Sequence, residues 1–161
     1  MAETTLEVQL VEREEERVAG IGVMCTMSDV KEKCMDLWGK QFVPRIREVS
    51  SCGGDLSYGL SIMTGSSESD PFLYVATAPL DEGKAVPEGM KEYTLAKGTY
   101  LSVQLKSMDE IGAGYQAMEK KLKESYPEYE FRMDVPSFEL YEDDFMKTGH
   151  LKLFGCIRKK E

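Results

Sequence analysis

The amino-acid sequence predicts an α+β fold in which two strand-helix-strand-strand units form one antiparallel sheet with pseudo-two-fold symmetry. Apolar and polar residues alternate with the period of a strand in many short stretches, and two longer stretches have helical spacing. The order of these elements repeats after roughly 80 residues. One unit alone cannot bury its sheet and its helix well. We therefore expect the two helices to pack on one face, with a groove between the units.

The composition indicates a single domain, residues 1–161, with repeats at about 5–80 and 91–158. A net charge of −9 disfavours nucleic acid as a direct partner, because its phosphates are bound mainly by clustered Lys and Arg. The charge is compatible with cationic or neutral small molecules and with a basic protein partner. The sequence has no leader and no apolar run of about 20 residues, so we expect a cytoplasmic protein without a membrane segment.

The four cysteines contain no CxxC pair. We therefore expect free thiols and no metal site, and no sequence motif indicates a cofactor. The only histidine, His150, lies beside a glycine in a predicted turn, which favours a structural position over a catalytic one. The common motifs of serine hydrolases, nucleotide-binding proteins and zinc proteases are also missing from the sequence.

The first unit has strand patterns at 5–13, 18–26, 58–63 and 72–78, with a helix between the second and the third. This helix should begin near Val30, because Asp29 and Glu32 have the spacing of a capping box, and Pro44 should kink or end it. Its predicted buried stripe comprises Val30, Cys34, Leu37, Trp38, Gln41 and Phe42. The tracts 50–55 and 66–71 should be a loop and a turn.

The second unit follows a connecting segment at 79–90 and repeats this order. Ser107 and Glu110 form a second capping box, and the helix behind it should stop before Pro127. The predicted strands of this half are 93–96, 100–105, 130–133, 138–142 and 151–157.

The stretch from residue 135 to residue 144, V-P-S-F-E-L-Y-E-D-D, contains the most informative pair of side chains. Its alternation places Phe138 and Leu140 on one face of a strand, and Glu139 and Tyr141 on the other. A carboxylate beside a phenol is either solvated surface or the floor of a binding cleft, and the alternation leaves both open. A buried Glu139 would need a cationic or hydrogen-bond-donating partner, such as a flat cation held against tyrosine rings.

Aromatic side chains supply candidate walls for such a cleft. Trp38 on its own is more often a core residue than a ligand contact. The strand phenols, which are as often half-buried sheet residues as cleft residues, are Tyr58, Tyr74, Tyr100 and Tyr141.

Six short motifs occur in order along the chain: L-W-G-K-Q-F from Leu37, Y-G-L-S from Tyr58, F-L-Y-V-A from Phe72, P-E-G-M from Pro87, A-K-G-T-Y from Ala96 and P-S-F-E-L-Y from Pro136. Together they resemble the GyrI-like, or AraC-type effector-binding, domain family over about residues 5–158. That family is known for a duplicated (SHS2-like) unit, and its members bind small, often aromatic or cationic, molecules between the halves. The resemblance therefore implies the same fold and a ligand groove.

The resemblance also implies particular site residues. The glutamate that often meets a cation in that family falls on Glu139. The implied ligand-binding residues are Glu139, Tyr141, Trp38, Tyr58 and Tyr100. We add Tyr74, one of the strand phenols, as a sixth candidate. No helix-turn-helix precedes residue 5, so we expect a stand-alone binding member and not a transcription factor.

Three functions stay open at this stage. The leading one is binding of amphipathic, aromatic or cationic compounds, as in multidrug-binding members. The second is hydrolysis of reactive cyclopropane-containing compounds, with Glu139 as the catalytic acid or base. The third is a protein-interaction role like that of the gyrase-inhibiting members.

Overall fold

The computed structural model describes residues 6–26, 28–50, 56–63, 71–107, 110–132, 134–142 and 145–160. Within these ranges the strands are β1 (Val8–Arg13), β2 (Glu16–Cys25), β3 (Leu56–Met63), β4 (Phe72–Pro79), β5 (Lys91–Leu95), β6 (Gly98–Leu105), β7 (Tyr129–Phe131), β8 (Ser137–Glu142) and β9 (Leu151–Lys159). The α-helices are α1 (Val30–Asp36), α2 (Ile111–Ser125) and α3 (Phe145–Thr148). Nearly every predicted element is therefore present within a few residues of its predicted bounds.

The strands form one antiparallel sheet in the order β1-β6-β9-β8-β3-β4-β2-β5, and β7 pairs with β9 beside this path. The order is symmetric about the central pair, so that β3 corresponds to β8, β4 to β9, and β2 to β6. The edge strands are exchanged between the halves, since β1 pairs with β6 and β5 pairs with β2. This arrangement confirms the predicted α+β fold with duplicated units, while the exact bounds of the two repeats stay a prediction.

The first helix changes its geometry along its length. After Asp36 it continues as a π-helical turn (Leu37–Phe42) and then as a 3₁₀-helix (Val43–Glu48). The Val43 N–H donates to the carbonyl of Trp38, five residues earlier, which is the π-helical bond. Pro44 has no N–H to continue the α-helical ladder, and the chain does not end its helical course there but continues as the tighter 3₁₀-helix.

The capping sequences behave differently from the prediction. The Asp29 carboxylate accepts a hydrogen bond from the backbone N–H of Thr26 at 2.7 Å and makes no side-chain cap bond to α1. The Glu110 carboxylate likewise accepts the backbone N–H of Lys106, and not that of Ser107. Both residues still mark where a helix begins, because each fixes the turn that leads into it.

Both faces of the sheet are buried. On one face α1 and α2 pack over separate apolar clusters, and Trp38 contacts both clusters. The opposite face has its own core, which includes Tyr58, Tyr100, Phe138 and Phe154. Of the predicted α1 stripe, Gln41 is exposed, so the prediction that it faces the core is wrong.

The remaining predictions concern the cysteines, two loops and a membrane segment, and some of them fall on residues outside the described ranges. Cys25, Cys34 and Cys156 are buried free thiols, whereas Cys52 lies outside the described residues. The predicted loop 50–55 and turn 66–71 lie almost entirely outside them as well. In the part of the chain that the structure describes, no helix has the length and apolar character needed to cross a membrane.

Candidate functional site

Glu139 lies in the middle of β8, on the face that the helices cover. Its side chain is only 5% exposed, although the residue carries a carboxylate. Opposite it in the β3–β8 pairing is Gly59. A Cβ on Gly59 would lie 2.7 Å from Glu139 Oε2 and 2.2 Å from the Tyr74 hydroxyl oxygen. The glycine therefore provides the space that the carboxylate and this phenol occupy.

Two phenols hold the carboxylate. The Tyr74 hydroxyl donates to Glu139 Oε2 at 3.0 Å, and the Tyr141 hydroxyl donates a short hydrogen bond to the same oxygen. Tyr74 also accepts a hydrogen bond from Trp38 Nε1 at 3.0 Å. The result is a directed series of hydrogen bonds from the indole through one phenol to the carboxylate, which links the π-helical turn after α1 to the centre of the sheet.

Burial dominates the electrostatics of this cluster. It raises the pKa of Glu139 above the ordinary carboxyl value, and the hydrogen bonds from Tyr141 and Tyr74 oppose that rise only in part. Burial and the nearby Glu139 charge also raise the pKa of both phenols well above normal, so they stay neutral donors. Among the described residues, no Lys, Arg or His forms an ion pair with Glu139.

Aromatic rings border the carboxylate on the helix side. Trp38 packs edge-to-face against Tyr141 and against Phe42, with ring centroids 5.6 Å apart in both pairs. From α2, Tyr115 donates a long hydrogen bond of 3.4 Å to Ser137, two residues before Glu139. The cluster thus combines one charged group with flat apolar surfaces, which suits an aromatic cation.

The six predicted ligand residues divide between the two faces of the sheet. Trp38, Tyr74, Glu139 and Tyr141 gather on the helix face, as described above. Tyr58 and Tyr100 belong to the core of the opposite face, and so they do not join this cluster. The reason is strand parity: Tyr58 pairs with Leu140, and both point away from the face of Glu139.

Three residues of the cluster were missed by the sequence analysis. Gly59 had a signal, because an interior strand glycine often marks a close approach. Cys34, placed only in the buried stripe, has its pKa raised to about 12 by burial and by the Glu139 charge. The same two causes raise the pKa of Tyr115 to about 12. Neither residue had a local pattern that distinguished it from ordinary core.

A metal centre receives no support from the described residues, where no three His, Cys, Asp or Glu side chains cluster suitably. The cluster around Glu139 has one carboxylate and neutral phenols, a poor ligand set for a metal ion.

Comparison with known protein families assigns the chain to one of them. The sequence model of Cass2, described as an integron-associated effector binding protein, matches residues 9–154. The chain belongs to this family. The membership confirms the predicted resemblance to GyrI-like domains, because Cass2 is a GyrI-like family. None of the curated protein sequences compared with the chain matches it.

Solved structures share the fold of this family member over nearly its whole length. One is a putative bacterial transcription regulation protein from Staphylococcus aureus MU50, with a TM-score of 0.70, 12% identity, and coverage of 96% of this chain and 99% of that one. SAV2435, solved with bound tetraphenylphosphonium, has a TM-score of 0.72, 13% identity and coverage of 94% of both chains. An integron cassette protein from Vibrio cholerae has a TM-score of 0.64, 13% identity and coverage of 94% and 95%. At such identities the likeness shows the fold alone.

Proposed function

We propose that this effector-binding protein binds organic cations with aromatic rings against Glu139, on the helix face of its sheet. The observation that carries the proposal is a buried carboxylate held by phenols, with no cationic partner among the described residues. Such a group is costly to keep charged, and a cationic ligand would supply the missing counter-charge.

The surrounding rings favour an aromatic ligand over a simple ammonium ion. Trp38 and Tyr141 present an edge and a face at 5.6 Å, next to the carboxylate. An aryl cation that replaced part of these contacts would keep apolar packing while it gained a charge pair and cation–π contacts. Tetraphenylphosphonium, the ligand in the SAV2435 structure, has this chemistry and is a suitable first probe.

Binding requires the site to open, because Glu139 is 5% exposed. The lining of a shallow depression on the outer side of α1, which includes Met35, Asp36 and Lys40, does not contain Glu139. Trp38 contacts both phenols that hold the carboxylate, and it lies in a π-helical turn, a geometry that often occurs at functional sites. We expect the segment Leu37–Phe42 to move when a ligand enters, so association should be slower than diffusion-limited encounter.

The test is a titration with tetraphenylphosphonium, followed by the fluorescence of Trp38, the only tryptophan of the chain. Glu139→Gln should weaken binding roughly 10- to 100-fold, because a buried charge-assisted contact contributes about 1.5–3 kcal/mol. Glu142→Gln is the matched control: it removes the same charge from an exposed position of the same strand and should leave binding within about twofold.

A neutral aromatic probe separates charge recognition from apolar burial. Triphenylphosphine oxide should bind more weakly than the phosphonium and should respond little to Glu139→Gln. If both glutamine variants bind the phosphonium like the native chain, the proposed site is wrong.

The raised pKa of Glu139 also favours a second candidate, the hydrolase. A carboxyl group whose pKa is raised by burial is suited to act as a general acid or base on a substrate in the cleft. Incubation with a reactive cyclopropane-containing compound should then give product faster than buffer, and Glu139→Gln should abolish the difference. Absence of any rate above buffer would leave binding as the function.

A further inference from the structure

The face of the sheet opposite Glu139 contains a second aromatic cluster, and a cation already occupies it. Phe138 and Phe154 stack with centroids 5.0 Å apart, and Tyr58 and Tyr100 meet the Phe138 ring edge-to-face at 5.4 and 5.6 Å. Into this cluster the chain places the guanidinium of Arg13, whose side chain is 22% exposed.

The Arg13 guanidinium lies against three aromatic rings, as a bound organic cation would. Its guanidinium carbon lies 4.6 Å from the ring centroid of Phe154, 5.3 Å from that of Phe138 and 5.9 Å from that of Tyr58. These distances are within the range of cation–π contact, and three rings surround one cation.

A polar rim completes the contacts of the guanidinium. Arg13 Nη2 donates to the Tyr58 hydroxyl at 3.1 Å, and this hydroxyl donates to Glu16 Oε2 at 2.7 Å. Glu16 lies 3.7 Å from the guanidinium, so a carboxylate faces the cation across the phenol. Aromatic walls, one hydroxyl acceptor and one carboxylate are together the elements of a site for an organic cation.

We propose that this cluster, the Arg13 cage, is a second cation-binding site that takes the guanidinium group of a small ligand and is closed by Arg13 in the present state. Arg13 is the last residue of β1, an edge strand, and the exposed Glu14 and Glu15 connect it to β2. The side chain can therefore leave the cage without breaking the centre of the sheet. The site is separate from Glu139, which points to the other face.

The closed state sets the expected affinity. A tethered group acts at an effective concentration in the millimolar range, so an external guanidinium must compete with Arg13 in the native chain. Removing the Arg13 side chain should open the cage while its walls stay in place.

The experiment is calorimetric titration of the native chain and of Arg13→Ala with methylguanidinium chloride, against sodium chloride at equal concentration. Arg13→Ala should bind methylguanidinium at least tenfold more tightly than the native chain. Adding Glu16→Gln to Arg13→Ala should weaken this binding about tenfold. Adding Glu12→Gln, which removes a charge from the outer side of the same strand, should leave it unchanged.

Three results would overturn the proposal. The first is equal affinity of the native chain and Arg13→Ala, or no binding by either. The second is binding that survives Glu16→Gln but is lost with Glu139→Gln, which would assign the cation to the other face. The third applies if Arg13→Ala does not fold: methylguanidinium should then restore its circular dichroism where sodium chloride does not, and a failure to do so refutes the cage.

Discussion

Tyr74→Phe is the sharpest test of the hydrogen-bond chain that ends on Glu139. The change keeps the ring and removes a single oxygen atom. That atom accepts the Trp38 Nε1 proton at 3.0 Å and donates to Glu139 Oε2 at 3.0 Å. Two interactions are therefore lost at once, with little change of volume.

The size of the stability loss depends on the two polar groups that Tyr74→Phe leaves without this partner. The Trp38 N–H is left without its partner, which costs about 1–3 kcal/mol, and the buried carboxylate loses one of two phenol donors, worth about 1.5–3 kcal/mol. Because the two effects share one atom and are not additive, we expect the free energy of unfolding to fall by about 2–5 kcal/mol. That loss is a large part of the about 5–15 kcal/mol typical of a domain.

The assay is equilibrium unfolding in urea at pH 7, followed by circular dichroism and by Trp38 fluorescence. Tyr93→Phe is the control, because within the described residues the half-buried Tyr93 makes no hydrogen bond through its hydroxyl. Its free energy of unfolding should change by less than about 0.5 kcal/mol. If Tyr74→Phe loses no more stability than Tyr93→Phe, the hydrogen bonds from Trp38 through Tyr74 to Glu139 do not stabilise the protein.

Three further changes test the surroundings of Glu139. Burial raises the pKa of Glu139 in the folded state, so the stability that protonation provides is complete below the unfolded carboxyl pKa and is lost as pH rises through the folded one. Glu139→Gln should therefore gain stability relative to the native chain as pH rises above the unfolded carboxyl pKa, and a difference in unfolding midpoints that does not change with pH would contradict this. Gly59→Ala should lower the free energy of unfolding, measured in urea, by about 1–3 kcal/mol, because the new Cβ would press on the Tyr74 hydroxyl and on Glu139. The control is Gly112→Ala, since Gly112 is exposed and has open space around it. Since burial raises the pKa of Cys34 to about 12, iodoacetamide at pH 8 should label it at least roughly 100-fold more slowly in the folded protein than in urea, as peptide mass spectrometry would show.

Local patterns predicted the elements well because each depends on neighbouring residues. The alternation in β8 separated Phe138 and Leu140 from Glu139 and Tyr141 correctly. The Asp29 and Glu110 turns marked both helix starts, even though their side chains bond elsewhere. The π-helical turn that contains Trp38 had no such signal in the sequence. Its geometry depends on how the first helix packs against the sheet and on Pro44, which interrupts the α-helical hydrogen bonds.

The grouping of side chains into sites was beyond local patterns. Trp38, Tyr74 and Glu139 are far apart in the chain and meet only because β3 pairs with β8 and β4 while α1 packs above them. Tyr58 and Tyr100 have the same residue type as Tyr74, but strand parity and register place them on the other face, around Arg13.

Local sequence patterns were enough to predict the order of strands and helices, the duplicated plan and the side of the strand on which Glu139 lies. These features follow from residue spacing and from the chemistry of turns, which act over a few residues. These patterns did not predict that Glu139 is buried and held by two phenols, without a cationic partner among the described residues. They also did not predict that Arg13 fills an aromatic cluster on the opposite face of the sheet. Burial and pairing arise from contacts between distant segments, and the sheet order that creates those contacts is not written in any single stretch.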